Sequence, residues 1–96
     1  MTRIKVKKLI WDEYNREHIK RHEVSVKEVE EIRKNYLAHK KGKKGRYLMI
    51  GRSGSRILSV VINRKETGIY YPVTAYDADK PERRILYEKE SKQKEI

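Results

Sequence analysis

The spacing of apolar positions changes several times along the chain, and each change marks a boundary between elements. Residues 2–11 alternate as a strand does, with Ile4, Val6, Lys8 and Ile10 on one side and Lys5, Lys7, Leu9 and Trp11 on the other. Asp12 stands where a helix N-cap belongs. Trp11, Tyr14, His18 and His22 then recur at spacings of three and four, which predicts a helix to about Arg21 with these residues as one stripe. Ser25 followed by Glu28 is a capping box, and Val24 and Val29 occupy the hydrophobic-staple positions. A second helix therefore begins at Val26, carries the stripe Val26, Val29, Ile32 and Tyr36, and ends near Asn35, after a sharp turn at Glu23.

Residues 38–46 contain Lys40, Lys41, Lys43, Lys44 and Arg46 with two glycines, a composition that predicts a mobile basic loop. Three strands follow over about 47–52, 56–63 and 69–76, joined by Ser53-Gly54-Ser55 and by residues 64–68, as an antiparallel meander. The middle strand is apolar on both sides, Leu58, Val60 and Ile62 against Ile57 and Val61, so it needs cover from the helices. Asp79 and Pro81 open a last helix over 82–90, anchored by Ile85 and Leu86, and residues 91–96 are expected to fray. The class is α+β, with two N-terminal helices packed on an antiparallel sheet and a short C-terminal helix, as one domain over residues 1–90.

Charge changes this picture more than any other bulk property. Lys and Arg number 25 against 14 Asp and Glu, a net +11 that costs self-repulsion and points to an anionic partner, RNA first among them. There is no cysteine, which removes disulfide frameworks and thiolate nucleophiles and suits a reducing cytoplasm. The longest apolar runs are far short of a bilayer span, and the N-terminus has no signal-like apolar segment, so neither export nor a membrane partner is expected.

Several groups of residues carry possible chemistry. Lys40, Lys41, Lys43, Lys44 and Arg46 are suited to phosphate contact through counterion release; a solubilising face is the alternative. Seven tyrosines and no phenylalanine suggest rings whose hydroxyls meet water, a partner or phosphate. In strict alternation Tyr70 and Tyr76 share a strand face on which unpaired bases stack, or they close a small core. Arg64, Tyr76, Arg83 and Tyr87 are expected to converge at one sheet edge, where arginines and a phenol suit metal-independent phosphodiester cleavage by the RNA 2′-hydroxyl. Arg84 and Glu88 are spaced as a surface ion pair. His18 and His22 have the helical spacing of two metal ligands but nominate no third, so they read as structural, with general-base chemistry open to them and to His39. Residues 51–55 lack the P-loop lysine and spacing, and read as a hairpin turn.

Five ordered motifs then carry a resemblance: Trp11-Asp12-Glu13 with Asn15; His22-Glu23-Val24-Ser25; Arg46-Tyr47 with Ile50-Gly51; Arg56-Ile57-Leu58 before Val60-Val61; and Glu82-Arg83-Arg84 with Tyr87. Over about residues 9–90 the chain resembles the BrnT family. The resemblance implies a RelE-like fold and a ribonuclease toxin of a type II toxin–antitoxin pair. Such a toxin cleaves RNA endonucleolytically without metal or cofactor, inhibits translation, and is neutralised by a ribbon-helix-helix antitoxin through which alone it meets operator DNA. Arg64, Glu82, Arg83, Arg84 and Tyr87 match family positions, while Thr74-Ala75-Tyr76 stands where the family commonly has Ser-Ala-Arg. On this reading Arg64, Arg83 and Arg84 hold and stabilise the phosphate, Tyr76 or Tyr87 assists proton transfer, and Lys40, Lys41, Lys43, Lys44, Arg46 and Tyr70 hold the strand. A non-catalytic nucleic-acid-binding module and a basic partner-binding protein are the alternatives.

Overall fold

In the computed structural model, which describes residues 4–94, the local signals at both ends of the helical hairpin do what their chemistry requires. Asp12 caps α1 (Glu13–Arg21): its carboxylate accepts from the Asn15 N–H at 2.8 Å, and the Asn15 side chain returns a bond to the Asp12 N–H. Ser25 and Glu28 do the same for α2 (Val26–Asn35), and the chain between the helices turns through Glu23 at φ 58°. α2 buries Val29 and Ile32 with Val26 and Tyr36 beside them. α1 differs from expectation. Its buried face is Asn15 and Ile19, while Tyr14 is 73% exposed and stacks outside on His18. The aromatic stripe is real, but the aliphatic side chain takes the core.

Five strands form one sheet in the order β1-β5-β4-β3-β2. β3 (Arg46–Ser53), β4 (Arg56–Glu66) and β5 (Ile69–Asp77) are the expected meander. β1 (Lys8–Leu9) is shorter than the predicted strand and pairs parallel to β5, so the sheet is mixed rather than antiparallel. The Lys7 and Lys8 N–H groups both donate to the Gly68 carbonyl, at 2.9 and 3.0 Å. This slip puts two exposed lysines in succession and lets Ile4, Val6 and Leu9 all reach the core.

β2 (Ala38–Lys41) is the strand that composition concealed. It pairs with β3 from Ala38 opposite Ile50 to Lys41 opposite Tyr47, so the basic segment is a hydrogen-bonded hairpin rather than a mobile loop. Only Ala38 needs burial, and lysines suit an exposed edge because they discourage pairing with other chains.

α3 (Lys80–Lys94) is long, not short, and residues 91–94 continue it where fraying was expected. The segment after Leu86 has neither Gly nor Pro to stop it, and Glu90 is tied to Arg52 of β3 at 2.6 and 3.0 Å. Residues 95–96 lie outside the described residues.

The sheet is covered unequally. The helical hairpin packs on one face, over Met49, Leu58, Val60, Ile62 and Ala75. On the other face α3 covers Ile50 and Ile57 with Leu86, and leaves Leu48 and Val61 half-buried. That uncovered half adjoins the basic hairpin.

Candidate nucleic-acid interface

The hairpin turn sets the geometry of the basic segment. The Gly42 N–H donates to the Arg46 carbonyl at 2.8 Å, the Arg46 N–H donates to the Lys43 carbonyl at 3.2 Å, and Lys44 and Gly45 take φ of 56° and 75°. A lysine in the left-handed region is uncommon and costs about 1 kcal/mol, which the surrounding hydrogen bonds must offset. The turn curls over the uncovered sheet face and makes a concavity of about 660 Å³. Leu48, Val61 and Asn63 line it from the sheet, and Lys40, Lys41, Lys43, Lys44 and Arg46 from the hairpin. No carboxylate or imidazole is among its lining residues. The five predicted cations therefore do come together, on an apolar floor beside a side-chain amide.

Arg64 joins them. Its N–H donates to the Gly45 carbonyl at 2.9 Å, which fixes the end of β4 against the hairpin turn, and its guanidinium donates to Thr67 Oγ1 at 3.2 Å. The expected meeting of Arg64 with Tyr76 does not occur. β4 and β5 are antiparallel, so the end of one meets the start of the other: Arg64 lies opposite Tyr70, and Tyr76 opposite Ser59. Ser59 is five positions from Arg64 along the strand, about 17 Å at the usual rise per residue.

Tyr76 is engaged in holding α3. Its hydroxyl donates to Glu82 at 2.8 Å, and the same carboxylate accepts from the Ser59 hydroxyl at 2.9 Å and the Asp79 N–H at 3.0 Å. Asp79 in turn accepts from the Glu82 N–H, completing a capping box at the start of α3. Burial, aided by the Glu82 carboxylate, pushes the Tyr76 phenol far above its ordinary range, so it is a fixed donor. Arg83 donates to the Ala78 carbonyl at 2.9 Å. Tyr87, 48% exposed, lies beside the Arg52 guanidinium, whose carbon is 6.0 Å from the ring centre. Arg84 is exposed, and among the described residues it forms no ion pair with Glu88. These α3 residues make a second group, apart from the hairpin.

Tyr70 offers no surface for base stacking. It is 4% exposed and meets Tyr47 edge-on in the core at 5.8 Å. The register explains this: Val61 pairs with Thr74, but Ile62 pairs with Pro72, so Val73 is an extra residue. That bulge sends Tyr70 to the helix side and Tyr76 to the other. Tyr71 is the neighbour at the surface, donating to Asp12 at 2.9 Å.

No family model and no curated protein matches the chain. Among solved structures it is similar to the Brucella abortus ribonuclease toxin BrnT, with a TM-score of 0.60 and 24% identity over 78% of this chain and 100% of that one. The fold is BrnT-like.

Within this BrnT-like fold most of the motif residues prove to be scaffold. Asp12, Asn15, Ser25, Glu28 and Glu82 are helix caps, and Asn15, fully buried, also donates to the Ile10 carbonyl at 2.9 Å. Arg56 ties three segments: it donates to Glu28 at 2.9 Å, to Asp77 at 3.2 Å and to the Glu23 carbonyl at 2.8 Å. Arg46 and Arg64 are the charged residues among them that stand at the basic end. Asn63, Leu48 and Val61 escaped the sequence reading. A polar Asn interrupting an apolar strand was the available signal for the first, whereas a floor made by half-covered aliphatic residues leaves none.

Proposed function

We propose that this protein is a ribonuclease toxin of a type II toxin–antitoxin pair that binds RNA at the basic end of its sheet. The observation that carries the reading is the acid-free concavity of Lys40, Lys41, Lys43, Lys44 and Arg46, whose turn is held by the Arg64 N–H, on a BrnT-like fold. The hairpin cations hold the strand by neutralising successive phosphates. Arg64, braced by Thr67, stabilises the charge that develops when O2′ attacks phosphorus and the bond to O5′ breaks. The O2′ proton passes to water and a lysine ammonium donates one to O5′, leaving a 2′,3′-cyclic phosphate and a 5′-hydroxyl. This route uses no metal. Tyr76 is withdrawn from it because its hydroxyl serves Glu82, and Arg83, Arg84 and Tyr87 stand with it on the α3 side. Cleavage inhibits translation in the cytoplasm, and a ribbon-helix-helix antitoxin covers the basic surface and supplies contact with operator DNA.

One observation favours a second reading. The concavity lacks the carboxylate or imidazole that usually moves protons, which suits a non-catalytic nucleic-acid-binding module. Incubation of the purified protein with RNA in chelator separates the two. The nuclease reading expects fragments ending in 2′,3′-cyclic phosphate and a fall of about 100-fold or more in their rate for Arg64→Ala. Intact RNA, bound with a steep salt dependence, would select the binding module instead.

A further inference from the structure

The sheet end that carries the basic hairpin has a second hollow, of about 280 Å³, on its other face. Lys5, Lys7, Arg64, Thr67 and Tyr70 line it, with Tyr47 shared between the two hollows. The faces follow from strand alternation. Leu48, Val61 and Asn63 look away from the helical hairpin, whereas Tyr47 and Tyr70 belong to the core beneath the helices and Arg64 lies opposite Tyr70.

This second hollow is built rather than incidental. Thr67 accepts from the Arg64 guanidinium at 3.2 Å. The Lys7 stem crosses Gly68 so closely that a Cβ there would lie 3.1 Å from Lys7 Cδ, and the Lys7 N–H bond to the Gly68 carbonyl pins the same segment. Burial raises the Tyr70 phenol, and the Arg64 charge, on the same hollow, opposes the rise. As in the first hollow, no carboxylate is among the lining residues.

We propose that this hollow is a second phosphate subsite, occupied by a neighbouring phosphate of one RNA strand that passes over the end of the sheet from face to face. The proposal rests on the RNA-binding reading above and adds a path and a substrate form. Arg64 stands between the two hollows, with its backbone on the hairpin turn and its side chain in the second. A strand that fills both must reverse direction around an edge one sheet thick. Single-stranded RNA rotates freely about its backbone bonds and can do so. A duplex cannot, since double-stranded DNA, the nearest measured case, keeps its direction over about 150 base pairs.

The test is RNA affinity measured across salt concentration for the full chain, for Lys5→Gln with Lys7→Gln, and for Lys89→Gln with Lys92→Gln, a control that removes the same charge from exposed α3 positions. Glutamine keeps the stem over Gly68, and the melting temperature verifies folding. On a single strand of about 12 nucleotides, within the usual footprint of small single-strand binders, the first variant should flatten the log–log salt slope by up to about 1.4, about 0.7 for each lost contact. The control should leave the slope unchanged, and a duplex of equal length should show no difference between the first variant and the unaltered chain. A single-strand slope equal to that of the unaltered chain, or the same loss in the control or on the duplex, would overturn the subsite. Failure of the unaltered chain to bind RNA at all would overturn the RNA reading itself, and the subsite with it.

Discussion

Tyr70 and Tyr76 show how one residue decides what a side chain can do. A single extra residue in β5 puts them on opposite faces, one in the core and one on Glu82. Strict alternation was a sound reading of the sequence, but a bulge leaves no compositional trace where every candidate residue is tolerated in a strand. Removing the Tyr76 hydroxyl with Tyr76→Phe should cost about 1 kcal/mol in chemical denaturation, more if Glu82 finds no replacement donor, and should leave RNA affinity unchanged. Gly51 makes a similar point by packing. A Cβ there would meet Ile32 Cδ1, Asn35 Oδ1 and Tyr36 Cα, each at 3.2 Å. Gly51→Ala should therefore destabilise by about 1–3 kcal/mol, because two of the three contacts belong to α2 and the third to its C-cap.

At the scale of elements, what was legible was whatever a short segment determines for itself. Both caps of the helical hairpin, its turn and the three meander strands follow from local chemistry, and all are present. What was not legible depends on partners far away in the chain. β2 exists because β3 offers it a ladder, β1 because β5 does, and the last turns of α3 are supported by Arg52 of β3. Arg56 is the clearest such long-range tie, joining α2, the inter-helix turn and β5. Burial alone would raise the Glu28 carboxyl, but the Ser25 backbone and the Arg56 guanidinium outweigh it and hold the group below its ordinary value of 4.5. The stabilisation this gives is present above about pH 4.5 and is lost as the pH falls through the lower folded value. Arg56→Ala should thus lower stability at neutral pH by about 1–3 kcal/mol and flatten the acid limb of a stability–pH curve. An acid limb unchanged by the substitution would show that Glu28 is not held by Arg56.

For the whole molecule, part of the charge of +11 is gathered at one end of the sheet. The hairpin end of the sheet gathers Lys40, Lys41, Lys43, Lys44, Arg46 and Arg64 without an acid among its lining residues. At the α3 end the positive charges of Arg52 and Arg56 are answered by Glu90, Glu28 and Asp77. Such an arrangement orients an approaching polyanion before contact and makes association sensitive to salt. The sequence displayed the amount of charge and the run of lysines, but not that a β-ladder folds that run over an apolar floor. Arg64 shows the same limit: its residue type suggested phosphate chemistry, while only the antiparallel register reveals that it stands opposite Tyr70 with its backbone on the hairpin turn, and not beside Tyr76. The most direct measurement is photocrosslinking of thiouridine-substituted single-stranded RNA to the protein, followed by mapping of the attached residues. Attachment is expected within 40–48 and 61–70. Attachment confined to the outer face of α1 or to the exposed length of α3 would contradict it.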